Sequence, residues 1–227
     1  RDEIAESLSL VANLDNDIIK AKNTLLSSEK VMLQVGEKLS ESRKLSALNF
    51  ADEMEKIIHR IGIENGSVEI KVNSSEPTSD GLDQIDMFFS ANKGVRPQEL
   101  KEVASGGEFS RLIFAVKYLI ADKTALPTII FDEIDTGVSG QVALQMIGMM
   151  KEMAKNHQVI SISHLPQFAA GGDAHYFVYK DHSSERSMSK MKLLEGEDRI
   201  SEIAKMIGGE NPGLPSIESA KELLGIK

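Results

Sequence analysis

Three apolar residues, Ile129-Ile130-Phe131, run straight into two carboxylates, Asp132 and Glu133. An apolar run this short and rich in β-branched residues reads as a strand buried on both faces, the kind that fills a parallel sheet. Two acidic residues at the C-terminal end of such a strand are costly unless they have a role, and in open α/β sheets that end is where ligands bind. A pair so placed divides into one carboxylate that holds Mg2+, directly or through water (Asp132), and one that orients an attacking water (Glu133). That division serves the hydrolysis of a nucleoside triphosphate. The alternative is an Asp-Glu pair in a turn, with Thr136 or Ser139 capping the next helix.

The neighbouring stretches bear on that choice. Upstream, Ala104-Ser105-Gly106-Gly107-Glu108 opens an apolar-periodic segment from Phe109 to Ala121. Small residues at a helix start leave backbone N–H groups and the positive end of the helix dipole free at one spot, which suits a phosphate. Two adjacent glycines also weaken a helix start unless close backbone approach is wanted there. Downstream, Val159-Ile160-Ser161-Ile162-Ser163 reads as a second buried strand, ending in His164. Three such features in this order are far more specific than any one alone.

SGGE, then IIFDEID, then a strand ending in Ser-His, resemble the C-terminal half of an ABC-type ATPase head of the SMC-like class. Within that class, ASGGEFSRL, FDEIDTGVSG and SHLPQFAA resemble the RecN family of bacterial DNA repair proteins, strongly over residues 91–180 and by general layout on the flanks. The resemblance implies an α/β fold, the C-terminal lobe of such a head, with a mainly parallel core sheet flanked by helices and a long N-terminal coiled-coil helix. It implies two parts, an arm over 1–60 and a head lobe over 61–227 that carries the signature motif, the Walker B strand and the switch histidine.

The resemblance also implies ATP and Mg2+ as cofactors and a role for each site residue. Glu133 and His164 would be catalytic, His164 sensing the γ-phosphate and holding the water. Ser105 would reach the γ-phosphate of ATP on the opposing head, with Gly106, Gly107 and Glu108 beside it. Asp135 would cross the dimer interface, and Asp132 would be the Mg2+ ligand. For Ser105 and Asp135 the competing reading is a helix cap, and for His164 a core or capping histidine. His59, His157, His175 and His182 show no ligand spacing and read as surface or packing residues.

The partners implied are the N-terminal head lobe of the same protein, a second copy engaged through ATP, and DNA, in recombinational double-strand break repair at a cytoplasmic, nucleoid-associated location. A second reading is a structural, ATP-gated chromosome-tethering protein of the SMC type. A transporter ATPase subunit is a third, disfavoured by the heptads described below.

Composition sets bounds. The absence of cysteine excludes a disulfide framework and suits a reducing compartment. No run of eighteen apolar residues is present to span a bilayer. A net charge of −9 argues against a chain built mainly to wrap nucleic acid. Arg1 is not a methionine and no signal peptide follows, so the expectation is a piece of a longer protein. No G-x-x-x-x-G-K-[ST] occurs in the sequence. In the resembled family that phosphate loop lies in the N-terminal half, across the coiled coil, so the chain looks like half of an ATPase head.

Along the chain, Ile4, Val11, Ile18, Leu25, Met32 and Leu39 recur every seven residues, a coiled-coil pattern. Its second seam is weak, with Asp15, Lys22, Glu29 and Arg43 in the i+4 slots and Gly36 as an interruption, so one partner helix is expected. An ordinary bundle helix is the alternative. The helix is expected to stop near Gly62 and Gly66. Val68 to Phe89 reads as an antiparallel hairpin turning at Asn73–Pro77 with Gly81 closing it. Two buried helices follow, Gly107–Ala121 and Gly140–Met153, the second with a methionine stripe that reads as core packing. Strands are expected at Tyr176–Tyr179 and Met188–Leu194, then helices at Arg199–Ile207 and Ile217–Leu224, with Pro212 and Pro215 breaking the chain between them.

Overall fold

The computed structural model describes residues 2–102, 106–124, 126–138, 140–181 and 188–226, the side chains of residues 2–12 and 101 excepted. Ser105, Ser139 and His182 lie outside the described residues. The chain divides into two compact units, one of residues 1–51 and 69–88, the other of residues 52–68 and 89–227.

The first unit is built from the long helix α1 (Asp2–Arg60) and a hairpin. At 1.5 Å per residue, α1 is about 90 Å long. Its heptad residues Leu14, Ile18, Leu25 and Met32 are all exposed, and Leu39, the least exposed of the seam, lies beside Gly81 of the hairpin. The hairpin strands are β1 (Ser67–Thr78) and β2 (Gly81–Ser90). Gly36, an interruption in the heptad, is buried because Leu82 sits on it: a Cβ there would lie 2.6 Å from Leu82 Cγ. Farther along, Arg43 Nη1 donates to Asp83 Oδ2 at 3.2 Å and Ser40 Oγ to Asp83 Oδ1 at 2.6 Å.

The hairpin turns later than its sequence indicates. Asn73–Pro77 stays extended within β1, and the chain reverses at Ser79-Asp80, where Gly81 takes a φ of 119° that a side chain would resist. Thr78 Oγ1 accepts from Asp80 N at 3.2 Å and Arg43 Nη2 donates to Asp80 O at 2.7 Å, which fixes the reversal there. Pro77 is tolerated because β1 pairs on one side only, with β2.

The second unit holds the last turns of α1, whose Met54, Ile57 and Ile58 are buried, and the short strand β3 (Gln98–Glu99). Its centre is the parallel pair β4 (Thr128–Asp132) and β5 (Gln158–Ile162), joined through α3 (Gly140–Met153). Helix α2 (Gly106–Ala121) packs on β4 through Phe114 and Phe131, whose rings are 5.1 Å apart. In α3 the stripe Met146, Met149, Met150 and Met153 is buried, as its spacing indicates.

Only one face of β4 is covered. Ile129 and Phe131 are buried, but Ile130 is 51% exposed, as are Ile160 (40%) and Ile162 (54%) on β5. The expectation of burial on both faces therefore fails, because alternate residues point to opposite faces and the described helices cover one of them.

A short helix that the sequence analysis did not anticipate, α4 (Pro166–Gly171), follows β5; Pro166 supplies its first turn and Phe168 is its buried anchor. The antiparallel ribbon β6 (His175–Asp181) and β7 (Met188–Leu194) leads to α5 (Gly196–Gly208) and α6 (Leu214–Leu224). Pro215 opens α6 rather than breaking the chain before it, since proline suits a first helical turn. Ile200, Ile203, Ala204 and Ala220 form the core beneath these helices.

Candidate functional site

The parallel register brings the two strand ends together. Asp132 aligns with Ile162, and Glu133 N donates to Ile162 O at 3.1 Å, extending the pairing one residue past β4. The acidic pair and the Ser163-His164 turn are therefore side by side. Asp132, Glu133 and His164 are all exposed, the His164 side chain at 72%. Glu133 has φ 48°, the one described non-glycine residue in the left-handed region. Such backbone costs on the order of 1–3 kcal/mol and concentrates where a side chain must be aimed.

Past Glu133 the chain folds back in a tight turn. Thr136 N and Thr136 Oγ1 both donate to Glu133 O, and Val138 N donates to Asp135 O. Thr136 Oγ1 is thus committed to Glu133 O, and Ser139, the other candidate cap of α3, lies outside the described residues. The start of α2 lies against the same turn. A Cβ on Gly107 would stand 2.7 Å from Thr136 O, whereas one on Gly106 would meet nothing within 4 Å. Two turns of helix are not needed to see the link: Arg111 Nη1 donates to Gly137 O at 3.4 Å. Burial pushes the Arg111 guanidinium below its ordinary pKa, opposed by Glu108, and its Nε is buried with no partner among the described residues. Arg111 was not singled out in the sequence, where it reads as one more helix-surface cation.

Asp135 is 2% exposed and belongs to its own chain's core. Its Oδ2 accepts from Ser163 Oγ at 2.5 Å, His164 N at 2.9 Å and Leu165 N at 3.2 Å, and lies 3.0 Å from His164 Nδ1. The residue expected to cross an interface is thus turned inward here, onto the 163–165 turn. Glu108 is half-buried near the start of α2. The other described histidines sit elsewhere: His59 Nε2 is 2.7 Å from Gly66 O, His157 Nδ1 is 2.7 Å from Leu126 O, and His175 opens β6.

Among the described residues no group of three or more His, Cys, Asp or Glu side chains is arranged to hold a metal ion. One exposed carboxylate at a strand end fits Mg2+ nonetheless, because that ion is usually held by one or two carboxylates and takes its other ligands from phosphate and water. No described helix is long and apolar enough to cross a membrane.

No family model matches the chain. Similarity to known proteins is nonetheless extensive. The chain is 34% identical over 225 residues to the DNA repair protein RecN of Rickettsia conorii, covering 98% of this chain and 41% of that protein. It is 35% identical over 194 residues to RecN of Deinococcus radiodurans, covering 85% and 34%. With RecN of Halalkalibacterium halodurans it shares 32% over 229 residues, covering 98% and 40%. The chain thus spans between about a third and two fifths of the length of these relatives.

Among solved structures, the Smc head domain with a coiled coil and joint from Pyrococcus yayanosii aligns at TM-score 0.56 and 20% identity, over 74% of this chain and 30% of that one. The Smc head domain with an extended coiled coil from Pyrococcus furiosus, bound to the C-terminal domain of ScpA, aligns at 0.55 and 20%, over 80% and 44%. The fold is that of part of an SMC-type head, and by sequence the chain belongs to the RecN family.

Proposed function

We propose that this chain forms part of an ATPase head in a DNA repair protein, binding and hydrolysing ATP between two engaged heads. The observation that carries the reading is the juxtaposition at the ends of β4 and β5. Asp132 and Glu133 are exposed on one strand end, the Ser163-His164 turn lies on the next, and the glycine-opened start of α2 packs on the loop between. The names of the relatives supply the DNA repair context.

In this reading Glu133 accepts a proton from the attacking water. His164 holds the water or the γ-phosphate, and the Gly106 and Gly107 amides at the helix start face phosphate oxygens. Ser105 belongs with them by sequence. Asp132 would hold Mg2+, which when bound neutralises charge on the phosphates. The phosphate loop, the N-terminal head lobe, a second copy and DNA complete the working protein, in the cytoplasm.

Glu133→Gln in the full-length protein tests this. The substitution keeps size and hydrogen bonding but removes the proton acceptor, so turnover should fall by about 10²–10⁴-fold while ATP binding persists. Near-normal turnover would return the acidic pair to a structural role.

A further inference from the structure

We infer that the β1–β2 hairpin is a stop for the arm: a helix from the rest of the full-length protein pairs with the seam of α1 down to Val35 and parts from it where the hairpin sits. The seam is the row Ile18, Leu25, Met32 and Leu39, with Leu14, Ala21 and Val35 in the row beside it. Leu14, Ile18, Leu25, Met32 and Val35 are 45% to 66% exposed, and a row of this spacing is stable when a partner helix covers it. The chain spans 41% and 34% of two of its relatives, so most of the polypeptide that can supply such a helix lies outside it. The paired stretch from Leu14 to Val35 is about 30 Å long at 1.5 Å per residue.

Two independent observations end the seam at the same level. The first is the seat of the hairpin tip. Gly36, Leu39, Ser40 and Arg43 stand at i, i+3, i+4 and i+7, one face of the helix, and the tip engages all four. A Cβ on Gly36 would lie 2.6 Å from Leu82 Cγ, and one on Gly81 would lie 3.2 Å from Leu39 Cδ2. Ser40 Oγ and Arg43 Nη1 both donate to the Asp83 carboxylate, whose side chain is 1% exposed. A second helix packed about 8–10 Å from α1 at this level would have to stand where Leu82 and Asp83 stand. Gly36 fits the same reading. A glycine inside a helix costs roughly 0.5–1 kcal/mol relative to alanine, and here it is the socket for Leu82.

The second observation lies in the sequence. Past Leu39 the same two rows carry Ser42, Ser46 and Asn49, which give a partner helix nothing apolar to bury. The exposed leucines farther along, Leu45 and Leu48, stand about 120° and 180° around the helix from Leu39 at 3.6 residues per turn, away from the seam. Side-chain chemistry and the hairpin thus close the seam together.

The test is thiol labelling of single cysteines on α1 in the full-length protein, read by mass spectrometry of the α1 peptides. The chain has no cysteine of its own, so each variant places one thiol there. Leu25→Cys and Met32→Cys should label at least about ten-fold more slowly than the same variants of the chain alone at high dilution, since a covered thiol reacts only through local opening. Ser46→Cys and Asn49→Cys should label equally in both. Protection that runs on through positions 46 and 49 overturns the stop, and no protection at 25 and 32 overturns the paired helix. Protection that fades as the full-length protein is diluted overturns the assignment to the same polypeptide and gives the seam to a second copy.

A further set separates the hairpin from the polar residues. Ser42→Leu with Ser46→Leu carries the apolar seam past the hairpin, and an Asn49→Cys reporter should still label freely. Adding Leu82→Ala and Asp83→Ala, which unseats the tip, should then slow that reporter. Protection of position 49 with the tip in place overturns the hairpin's role, and so does free labelling with the tip unseated. Where these multiple variants fail to fold, the four single cysteines decide.

Discussion

The start of α2 offers a comparison between two adjacent glycines that differ in one distance. Gly107→Ala places a methyl 2.7 Å from Thr136 O, a backbone atom, where ordinary contact begins at 3.4 Å. Neither neighbour can yield by rotating a side chain, so the helix start and the Thr136 turn must separate. Overpacking of this kind costs about 1–3 kcal/mol. Alanine returns part of that by lowering the entropy of the unfolded chain, at most about 1 kcal/mol. With that return taken in full, the net loss reaches about 2 kcal/mol, or up to roughly 8 °C in Tm for a chain of this size. Gly106→Ala meets open space and collects only the favourable part, so it should be neutral or slightly stabilising. Thermal melts of both variants, followed by circular dichroism, make the comparison. A Gly107→Ala protein as stable as Gly106→Ala would show that the helix start does not seat on the turn, and the coupling of the two through Gly107 would fall with it.

Calorimetry of the chain alone should detect no micromolar ATP binding, since its sequence contains no G-x-x-x-x-G-K-[ST]; such binding would place the main affinity elsewhere. Met146→Ala empties a fully buried position and should cost about 2–5 kcal/mol, whereas Leu144→Ala on the exposed side of the same helix should stay within about 0.5 kcal/mol. The Ser40 hydroxyl, and then Arg43, hold the Asp83 carboxyl below its ordinary value of 3.8. A depressed folded pKa contributes stability above 3.8 that is lost as pH falls through the folded value, so acid melts should show this loss below 3.8 and Asp83→Asn should abolish it. An unchanged acid profile in that variant would refute the pairing.

Much of the lobe was legible because periodicity records which side is covered. The methionine stripe of α3 follows its sequence spacing, whereas α2, expected to be buried, turns only Leu112, Phe114, Ala115 and Ala121 fully inward and leaves Phe109 39% exposed. The hairpin turn was misplaced because Asn73–Pro77 carries turn-forming residues, while the reversal is fixed by Arg43, far away in sequence. Burial of Ile130 was overestimated because an apolar run does not reveal how many layers cover it. The placement of Asp132, Glu133 and His164 at neighbouring strand ends was legible from the apolar runs that precede them. The inward turn of Asp135 was not, because its partners lie 28 to 30 residues on and only the parallel register brings them close. The seat of Gly107 on Thr136 O was hidden likewise, since adjacent glycines look alike until one of them meets a carbonyl.

The left-handed backbone at Glu133 has a consequence for how this sequence can drift. Every other described residue with positive φ is a glycine. A library selected for heat resistance alone would be drawn to Glu133→Gly, which relieves strain of on the order of 1–2 kcal/mol at no loss of packing, since the side chain is exposed. With Glu133 as the base proposed above, selection for turnover would pull the opposite way. Position 133 is therefore where a thermostability screen of this protein should be expected to find its most stable inactive variants, and where glycine among sequence variants would report release from catalysis.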